Sequence, residues 1–287
     1  MPEGDTIFRA ARTLDRALRG HIVTHFESVF PHLTRVQDDQ SIVGRTVESV
    51  TARGKHLLMQ LSGGLVLRTH MRMSGTWHIY RSGEPWQKPR PAMRIVIATP
   101  EFVAVAFNVH DAQFVEARRL ERDSPVGRLG PDLLSVDFNA EEALRRLRTR
   151  GHLEIGEALL NQRIMAGIGN VFKSEVLFLC GVLPFTRVAD LDEAILRRTI
   201  ETARAQLAAN VLPASGDGIV TYAGLRRTTR RADPAERLWV YGRRGQPCRR
   251  CGRLIEGRKQ GPDARITYWC PECQHSRQEI ARLSAGC

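Results

Sequence analysis

The sequence predicts an α+β protein of two domains, a β-sandwich that opens with a helix, then a helical half that ends in a small metal-stapled module. Three observations predict it. Between residues 22 and 120 short β-rich runs follow one another with no helical period between them, a pattern that two packed sheets satisfy. Beyond residue 137 the apolar residues recur at helical spacing. Finally, Cys248-Arg249-Arg250-Cys251 is followed after 18 residues by Cys270-Pro271-Glu272-Cys273, two C-x2-C knuckles that can bring four thiolates within tetrahedral reach of one zinc ion. Two disulfides are the competing reading, but paired knuckles in a chain without a secretory signal fit metal better. Four cysteines leave no open coordination position. One structural zinc is therefore expected, holding residues 253–269 as a stiff hairpin that carries Arg253, Arg258, Lys259 and Arg265.

The 287 residues hold 43 Lys and Arg against 31 Asp and Glu, a net charge of +12, so the surface attracts polyanions. The excess is concentrated. Residues 51–100 carry eight basic side chains against the single acid Glu84, and residues 226–265 carry thirteen against four. Two basic regions so far apart in sequence suggest two walls of one groove for nucleic acid. No apolar run reaches spanning length and no signal segment opens the chain; a soluble, cytoplasmic monomer working beside the nucleoid is expected, with no membrane partner. Cys180 and Cys287 fall outside the metal set.

In chain order, Ile7, Ala10, Ala11, Leu14 and Leu18 recur at spacings of three and four, and Gly20 supplies a stop, predicting a helix over 6–19. Strand-like runs follow at 22–29, 46–61, 65–80, 93–98, 102–108 and 114–117, some separated by the turn signals Ser62-Gly63-Gly64 and Thr99-Pro100-Glu101. Residues 81–91, with three prolines and a glycine, predict a surface loop. Residues 123–136 predict a linker through Pro125, Gly127, Gly130 and Pro131. Asn139 can cap a helix with Glu142 at its third position and Ala143, Leu144 and Leu147 on its inner face. Further helices are predicted over 154–165, 171–179 and 191–210. Between two of them, Ala166-Gly167-Ile168-Gly169-Asn170 leaves room only for a tight reversal. It would place Asn170 at an N-cap, where free N–H groups and the helix dipole favour an anion such as a backbone phosphate. The arginine-dense stretch 226–231 reads as a solvated loop.

Candidate chemistry is sparse. The nine histidines are scattered, with no H-x3-H or H-E-x-x-H, and neither a G-x-S-x-G elbow nor a P-loop occurs, which argues against acyl transfer and nucleotide-driven work. The start, Met1-Pro2-Glu3-Gly4, is unusual. Removal of Met1 would leave Pro2 as a secondary α-amine, and α-amines, with a pKa of about 7.7–8.0, are partly unprotonated at neutral pH. Such an amine can attack a sugar C1' to give an iminium ion, with Glu3 beside it to carry protons.

Four segments together carry a resemblance: Met1-Pro2-Glu3-Gly4, Arg53-Gly54-Lys55-His56, Gly167-Ile168-Gly169-Asn170, and Tyr268-Trp269-Cys270-Pro271-Glu272-Cys273-Gln274. In this order, from Met1 to Gln274, the chain resembles the formamidopyrimidine-DNA glycosylase and endonuclease VIII family. The resemblance implies an N-terminal β-sandwich, a helix-two-turn-helix domain and a four-cysteine zinc finger, with DNA between the domains. It implies domains at 1–122, 137–236 and 237–275, a linker at 123–136, and a tail, 276–287, beyond the family's usual end. It implies a bifunctional glycosylase and lyase of base excision repair acting on damaged DNA. Pro2 would be the Schiff-base nucleophile, Glu3 the proton shuttle and Lys55 the grip on the phosphate beside the lesion. His70, Asn170 and Arg265 would hold DNA. Arg72, Met73 and Phe114 would fill the void left by the extruded nucleotide.

Within that family, the branch that removes 8-oxoguanine has the pattern Asp-Pro-Arg-Arg-Phe-Gly where this chain has His110-Asp111-Ala112-Gln113-Phe114-Val115. The arginine that would read the opposite cytosine is replaced by Ala112. Residues 222–237 also lack resemblance to that branch's lesion-capping loop. Both departures favour the endonuclease VIII branch and oxidised pyrimidines, whereas Met73 in His70-Met71-Arg72-Met73-Ser74-Gly75 matches the guanine branch. Thr6 stands where the family often has a second glutamate. The alternatives are an 8-oxoguanine glycosylase, or a zinc-ribbon DNA-binding protein without chemistry; the latter requires a blocked Pro2 or the loss of Glu3 or Lys55, and all three residues are present.

Overall fold

The first helix, α1 (Gly4–Leu18), turns every residue of its predicted apolar stripe, Ile7, Ala10, Ala11, Leu14 and Leu18, into the core. It belongs to a computed structural model that describes residues 2–211, 227–229 and 233–275. The tail lies outside the described residues, as do residues 226, 230 and 231 of the arginine run and residues 222–226 and 230–232 of the segment compared with the lesion-capping loop. The described residues divide into two compact units, one built from residues 2–128 and the other from residue 129 onward.

In the first unit β1 (His25–Ser28) is followed by α2 (Pro31–Gln40), then β2 (Val47–Arg53), β3 (His56–Leu61), β4 (Leu65–His70), β5 (Thr76–Arg81), β6 (Met93–Ala98), β7 (Phe102–Phe107) and β8 (Asp111–Glu116). They form two four-stranded antiparallel sheets, in the orders β1-β6-β7-β5 and β2-β3-β4-β8. The β-sandwich is therefore as expected. One core joins both sheets to α1 and α2. Trp77 Nε1 on β5 donates to Thr69 Oγ1 on β4 at 3.0 Å, a polar tie between the sheets inside that core.

Three predictions for this unit need correction. The runs 46–61 and 65–80 are each two strands. The first is broken at Gly54-Lys55, where Gly54 takes φ +56, and the second at residues 71–75, where Gly75 N–H donates to Met71 C=O at 2.8 Å. A Cβ on Gly75 would stand 2.5 Å from that carbonyl, so the closure requires glycine. Helix α2 was not anticipated, because only Leu33 of its ten residues is buried and the apolar period is too thin to register. The 81–91 loop is present, with Trp86 packed over Tyr80, Met93 and Phe107. Residues 123–136, expected as a linker, follow the short helix α3 (Leu120–Asp123) with a 3-10 turn at Pro125–Arg128 whose Val126 is buried.

The second unit contains α4 (Ala140–Arg148), α5 (Ile155–Leu160), α6 (Asn170–Cys180) and α7 (Glu193–Ala209) around one apolar cluster. Asn139 caps α4 as predicted, its Oδ1 accepting from Glu142 N–H at 2.9 Å. Helix α5 stops at Leu160 rather than 165, because the chain there turns back on itself, Asn161 C=O accepting from Ile164 N–H. A two-stranded antiparallel hairpin follows, β9 (Glu256–Gln260) with β10 (Arg265–Trp269), as the cysteine spacing required. Among the described residues no helix is long and apolar enough to cross a membrane.

Candidate active site and nucleic-acid interface

In the first unit, Glu3 is the N-cap residue of α1: its C=O accepts from Thr6 N–H and Ile7 N–H at 3.0 Å each. Its surface is 0% exposed, while Pro2 before it is partly exposed. A carboxylate buried at a helix N-terminus sits in the favourable end of the helix dipole. The chain thus presents an accessible residue 2 directly beside a sequestered acid.

Lys55 stands half-exposed at the tip of the β2–β3 turn. The antiparallel register then places His56 opposite His70, and His70 opposite Asp111. The two imidazoles meet edge to face at 4.7 Å. Arg68, two residues before His70 and so on the same sheet face, is only 4% exposed. Its guanidinium donates to Asp111 Oδ1 at 2.6 Å and lies 3.3 Å from His56 Nδ1. Arg72 completes the group. Its backbone N–H donates to His70 Nδ1 at 3.0 Å, and its Nη2 donates to Asp111 Oδ2 at 3.4 Å.

The electrostatics of this group follow from burial among cations. Desolvation, then the neighbouring His70 and Arg68, hold His56 down at about 3. Desolvation, then Arg72, with Lys55 and Arg68 adding to it, hold His70 down at about 4. Burial alone would raise Asp111, but the hydrogen bond and charge of Arg68 and the charge of Arg72 outweigh it and keep the carboxyl below its ordinary value. Both histidines are therefore neutral at physiological pH. His70 Nδ1 accepts, which leaves the proton on Nε2.

Lys55, His70, Arg72 and Met73 thus gather at one end of the β3-β4-β8 sheet. Met73 is 62% exposed on the 71–75 turn. Phe114 does not join them: it lies half-buried on β8 against Phe26, ring centroids 5.6 Å apart, and packs on the sandwich core. Sequence reasoning missed His56, Arg68 and Asp111. The available signal was the alternation in Leu65-Val66-Leu67-Arg68-Thr69-His70, where two basic side chains two apart must share one face of an apolar strand.

In the second unit Asn170 is the first helical residue of α6, and Gly169 is the N-cap. The prediction that Asn170 caps the helix is corrected accordingly. Its Nδ2 donates instead to Ile266 C=O on β10 at 2.9 Å, while its Oδ1 is buried without a partner. The rest of the first turns of α6 continues the attachment. Lys173 Nζ donates to Thr267 Oγ1 at 2.6 Å, Thr267 Oγ1 donates to Gln260 Oε1 at 2.6 Å, and Tyr268 N–H donates to Ser174 Oγ at 3.4 Å. Glu175 accepts from the backbone N–H groups of Trp239, Val240 and Tyr241 at 2.7–2.9 Å, and from Thr228 Oγ1. Helix α6 therefore fixes both the hairpin and the strand of chain entering it. Arg265, at the start of β10, remains partly exposed beside Asp263 Oδ2 at 3.5 Å.

The sulfurs of Cys248, Cys251, Cys270 and Cys273 lie within 4.8 Å of one another, with Cys248–Cys273 at 3.9 Å and Cys251–Cys270 at 3.5 Å. Tetrahedral thiolates at zinc–sulfur bond lengths would stand about 3.8 Å apart, so the donor set fits such an ion. The knuckles are also held from outside, because Arg250 lies over the Phe178 ring at 4.6 Å and over Trp239 at 5.8 Å.

Comparison with known proteins agrees with this architecture. Residues 1–122 match the formamidopyrimidine-DNA glycosylase N-terminal domain, and residues 129–221 match the formamidopyrimidine-DNA glycosylase H2TH domain. The chain is 41% identical over 279 residues to a probable endonuclease 8 2 of Streptomyces coelicolor, covering 96% of this chain and 94% of that protein. It is 36% identical to the DNA-(apurinic or apyrimidinic site) lyase Nei2 of Mycolicibacterium smegmatis, over 96% of this chain and 99% of that one. Its fold is similar to that of Lactococcus lactis Fpg in complex with DNA containing an abasic site, with a TM-score of 0.80 at 22% identity, over 96% of this chain and 100% of that one. Two matched domains and near-complete relatives well above 30% identity place the chain in the formamidopyrimidine-DNA glycosylase and endonuclease VIII family.

Proposed function

We propose that this protein is a bifunctional DNA glycosylase and abasic-site lyase of base excision repair, acting on oxidised bases, chiefly pyrimidines. The observation that carries the reading is the partly exposed Pro2 beside the fully buried Glu3 at the head of α1. The relatives named as endonuclease 8 and abasic-site lyase support it, and the absence of arginine at position 112 favours the pyrimidine branch.

Once Met1 is removed, the Pro2 nitrogen lone pair attacks C1' of the damaged nucleotide. The C1'–N glycosidic bond breaks and its electron pair leaves with the base, which takes a proton from Glu3. The attack leaves the Pro2 nitrogen protonated; it gives up that N–H proton, and the freed lone pair expels the ring oxygen from C1', breaking the C1'–O bond and forming the iminium while the ring oxygen takes a proton. The iminium acidifies C2'–H; removal of that proton expels the 3' phosphate, and a second elimination releases the 5' phosphate. Lys55 and His70 serve phosphate contacts from one end of the first unit's sheet, and Arg265 does so from the hairpin. Asn170 serves by holding β10, the strand that carries Arg265, since its amide is already engaged there. Arg72 and Met73 are the exposed candidates for the vacated stack, while Phe114 has a packing role.

Cys248, Cys251, Cys270 and Cys273 would hold one zinc ion, whose contribution is structural: it fixes the hairpin geometry. The experiment is borohydride reduction during incubation with an oligonucleotide containing an oxidised pyrimidine. A covalent protein–DNA adduct through residue 2 is expected. Pro2→Gly, or a chain that mass spectrometry shows to retain Met1, should lose the adduct; full trapping by a Met1-retaining chain would refute the α-amine as nucleophile.

A further inference from the structure

Thr76, His78 and Tyr80 alternate along β5 with Trp77 and Ile79, which face the shared core, so the three polar side chains point out of the sandwich. His78 and Tyr80 are buried all the same, at 2% and 3% exposed, because the 81–91 loop folds back over them and sets Trp86 edge-on to Phe107 at 5.7 Å. The loop closes a hydrogen-bonded chain there. Gln87 N–H donates to Tyr80 Oη at 3.1 Å, Tyr80 Oη donates to His78 Nδ1 at 2.9 Å, and His78 Nε2 donates to Thr76 Oγ1 at 3.1 Å. Lys88 Nζ donates to the same Thr76 oxygen at 3.0 Å. Beyond it, Arg90 Nη2 donates to both carboxylate oxygens of Glu27 at 2.8 and 3.0 Å. Glu27 lies on β1 and Thr76 on β5, the two edges of this sheet, so the loop is tied down at both.

Among the described residues no carboxylate pairs with Lys88. A half-buried ammonium directed at a hydroxyl bears a desolvation cost without the return of an ion pair, so its contribution is placement rather than binding strength. What it places is the first residue of β5. Gly75, the residue before, closes the 71–75 turn that carries Arg72 and Met73. The residue after points the other way, and Trp77 Nε1 bonds Thr69 Oγ1 on β4 at 3.0 Å. The returning stem of the turn is therefore held from both faces of its sheet.

Side chains that enter a base stack must part bases that resist separation, and they do so only if the stem behind them does not yield. We propose that the 81–91 loop is a strap that stiffens the Arg72–Met73 turn for entry into a duplex, and that Lys88, acting through Thr76, is its positioning residue. This rests on the glycosylase reading above, in which that turn takes the vacated stack. The strap acts on the unstacking step alone. Where the bases around the lesion are already unpaired and open, a yielding stem loses nothing.

The test follows extrusion and excision by the full-length protein in single turnovers, on a duplex with 5-hydroxyuracil beside 2-aminopurine, a base that brightens when it unstacks. Lys88→Met keeps the length of the side chain and removes the donor. It should slow the rise in fluorescence about tenfold, the worth of one hydrogen bond from a charged group. A bubble of unpaired bases around the lesion should return excision by the variant to within about twofold of the wild type. Thr76→Val should slow the closed duplex likewise, and the double variant should be no slower than either single one. Lys88→Arg, which restores a donor, should recover most of the rate. An unchanged rise in Lys88→Met, equal slowing on the closed and bubble duplexes, or additive losses in the double variant would overturn the strap while leaving the glycosylase reading intact. Failure of the wild type to form any borohydride adduct would overturn that reading and this inference with it.

Discussion

Lys173, with 0% of its surface exposed, donates its ammonium to Thr267 Oγ1 at 2.6 Å, so a buried cation on α6 is bonded to the middle of the hairpin strand that presents Arg265. Thr267 passes the connection to Gln260 on β9, and Gln260 Nε2 donates on to Glu154 Oε2 and Pro184 C=O at 2.8 and 2.9 Å. One side chain thus sets the hairpin against both α6 and the start of α5.

Lys173→Ala should accordingly destabilise the protein by about 2–4 kcal/mol, through the cavity and through the polar groups left without their partner. Lys173→Met, which keeps the volume, should cost roughly half as much. Urea unfolding measures both. In each variant DNA affinity should fall while far-ultraviolet circular dichroism stays native, because the hairpin is displaced rather than the helices melted. Equal stability of wild type and Lys173→Ala would show that the bond carries no weight.

Arg265→Ala should weaken binding to every duplex alike. A side chain that neutralises one phosphate contributes about 0.9 to the slope of log affinity against log salt, so the variant's slope should be shallower by about that amount. An unaltered slope combined with a changed choice of lesion would move Arg265 from phosphate to base.

Removal of zinc by a chelator, or Cys251→Ser, should abolish the contribution of Arg265, because thiolate ligation is the folding free energy of a hairpin too small to bury a core. Elemental analysis should find a single zinc per chain, and circular dichroism of the sheet signal should persist after chelation. Full DNA affinity in a metal-free protein would contradict the structural role.

His56 and His70 lie at about 3 and about 4 in the folded state, below an unfolded value of about 6.5. The unfolded chain therefore binds more protons in this window, so stability rises with pH there and is lost as pH falls from 6.5 toward 4. His78, also buried and held at about 4 by desolvation and then Lys88, acts in the same sense. The charged groups facing the pair are Lys55, Arg68, Arg72 and Asp111, and the titration between pH 6.5 and 4.5 comes from the histidines. Each of the three histidines accounts for about 2 kcal/mol over that range, so urea unfolding should show a loss of about 6 kcal/mol. His56→Asn with His70→Asn should remove about two-thirds of it, His78 retaining the rest; an identical slope in the variant would assign the loss to other groups.

Glu3→Gln should slow excision of an oxidised pyrimidine at least about 10²-fold, the usual worth of a positioned acid. Cleavage of a preformed abasic site, where no base must leave, should fall much less. Parallel losses on the two substrates would make Glu3 a structural cap of α1 rather than a proton carrier.

Much of this was legible in the sequence, and for physical reasons. The four cysteines announce their own geometry, because a C-x2-C knuckle is a local object and only the distance between the two knuckles needed the fold. The apolar stripe of α1 and the cap at Asn139 are local as well, set within one or two turns of chain. The roles read for Pro2 and Glu3 came through the resemblance, since a proline after the first methionine is by itself an ordinary occurrence. Local signals were weaker where the chain turned without proline, as at Gly54-Lys55, or where a helix buried a single residue, as in α2.

Only the tertiary structure decided the polar group at the end of the β3-β4-β8 sheet. His56, Arg68, His70 and Asp111 are drawn from three strands, and Arg68 and Asp111 are 43 residues apart in sequence. Their meeting depends on which strand pairs with which and in which register, and a slip of one residue would turn Arg68 to the other face. The same holds for Asn170, which looked like a cap because its neighbours are glycines, yet gives its amide to a carbonyl 96 residues away. Short-range chemistry determined which residues could act; cross-strand and helix–hairpin packing determined what each of them faces.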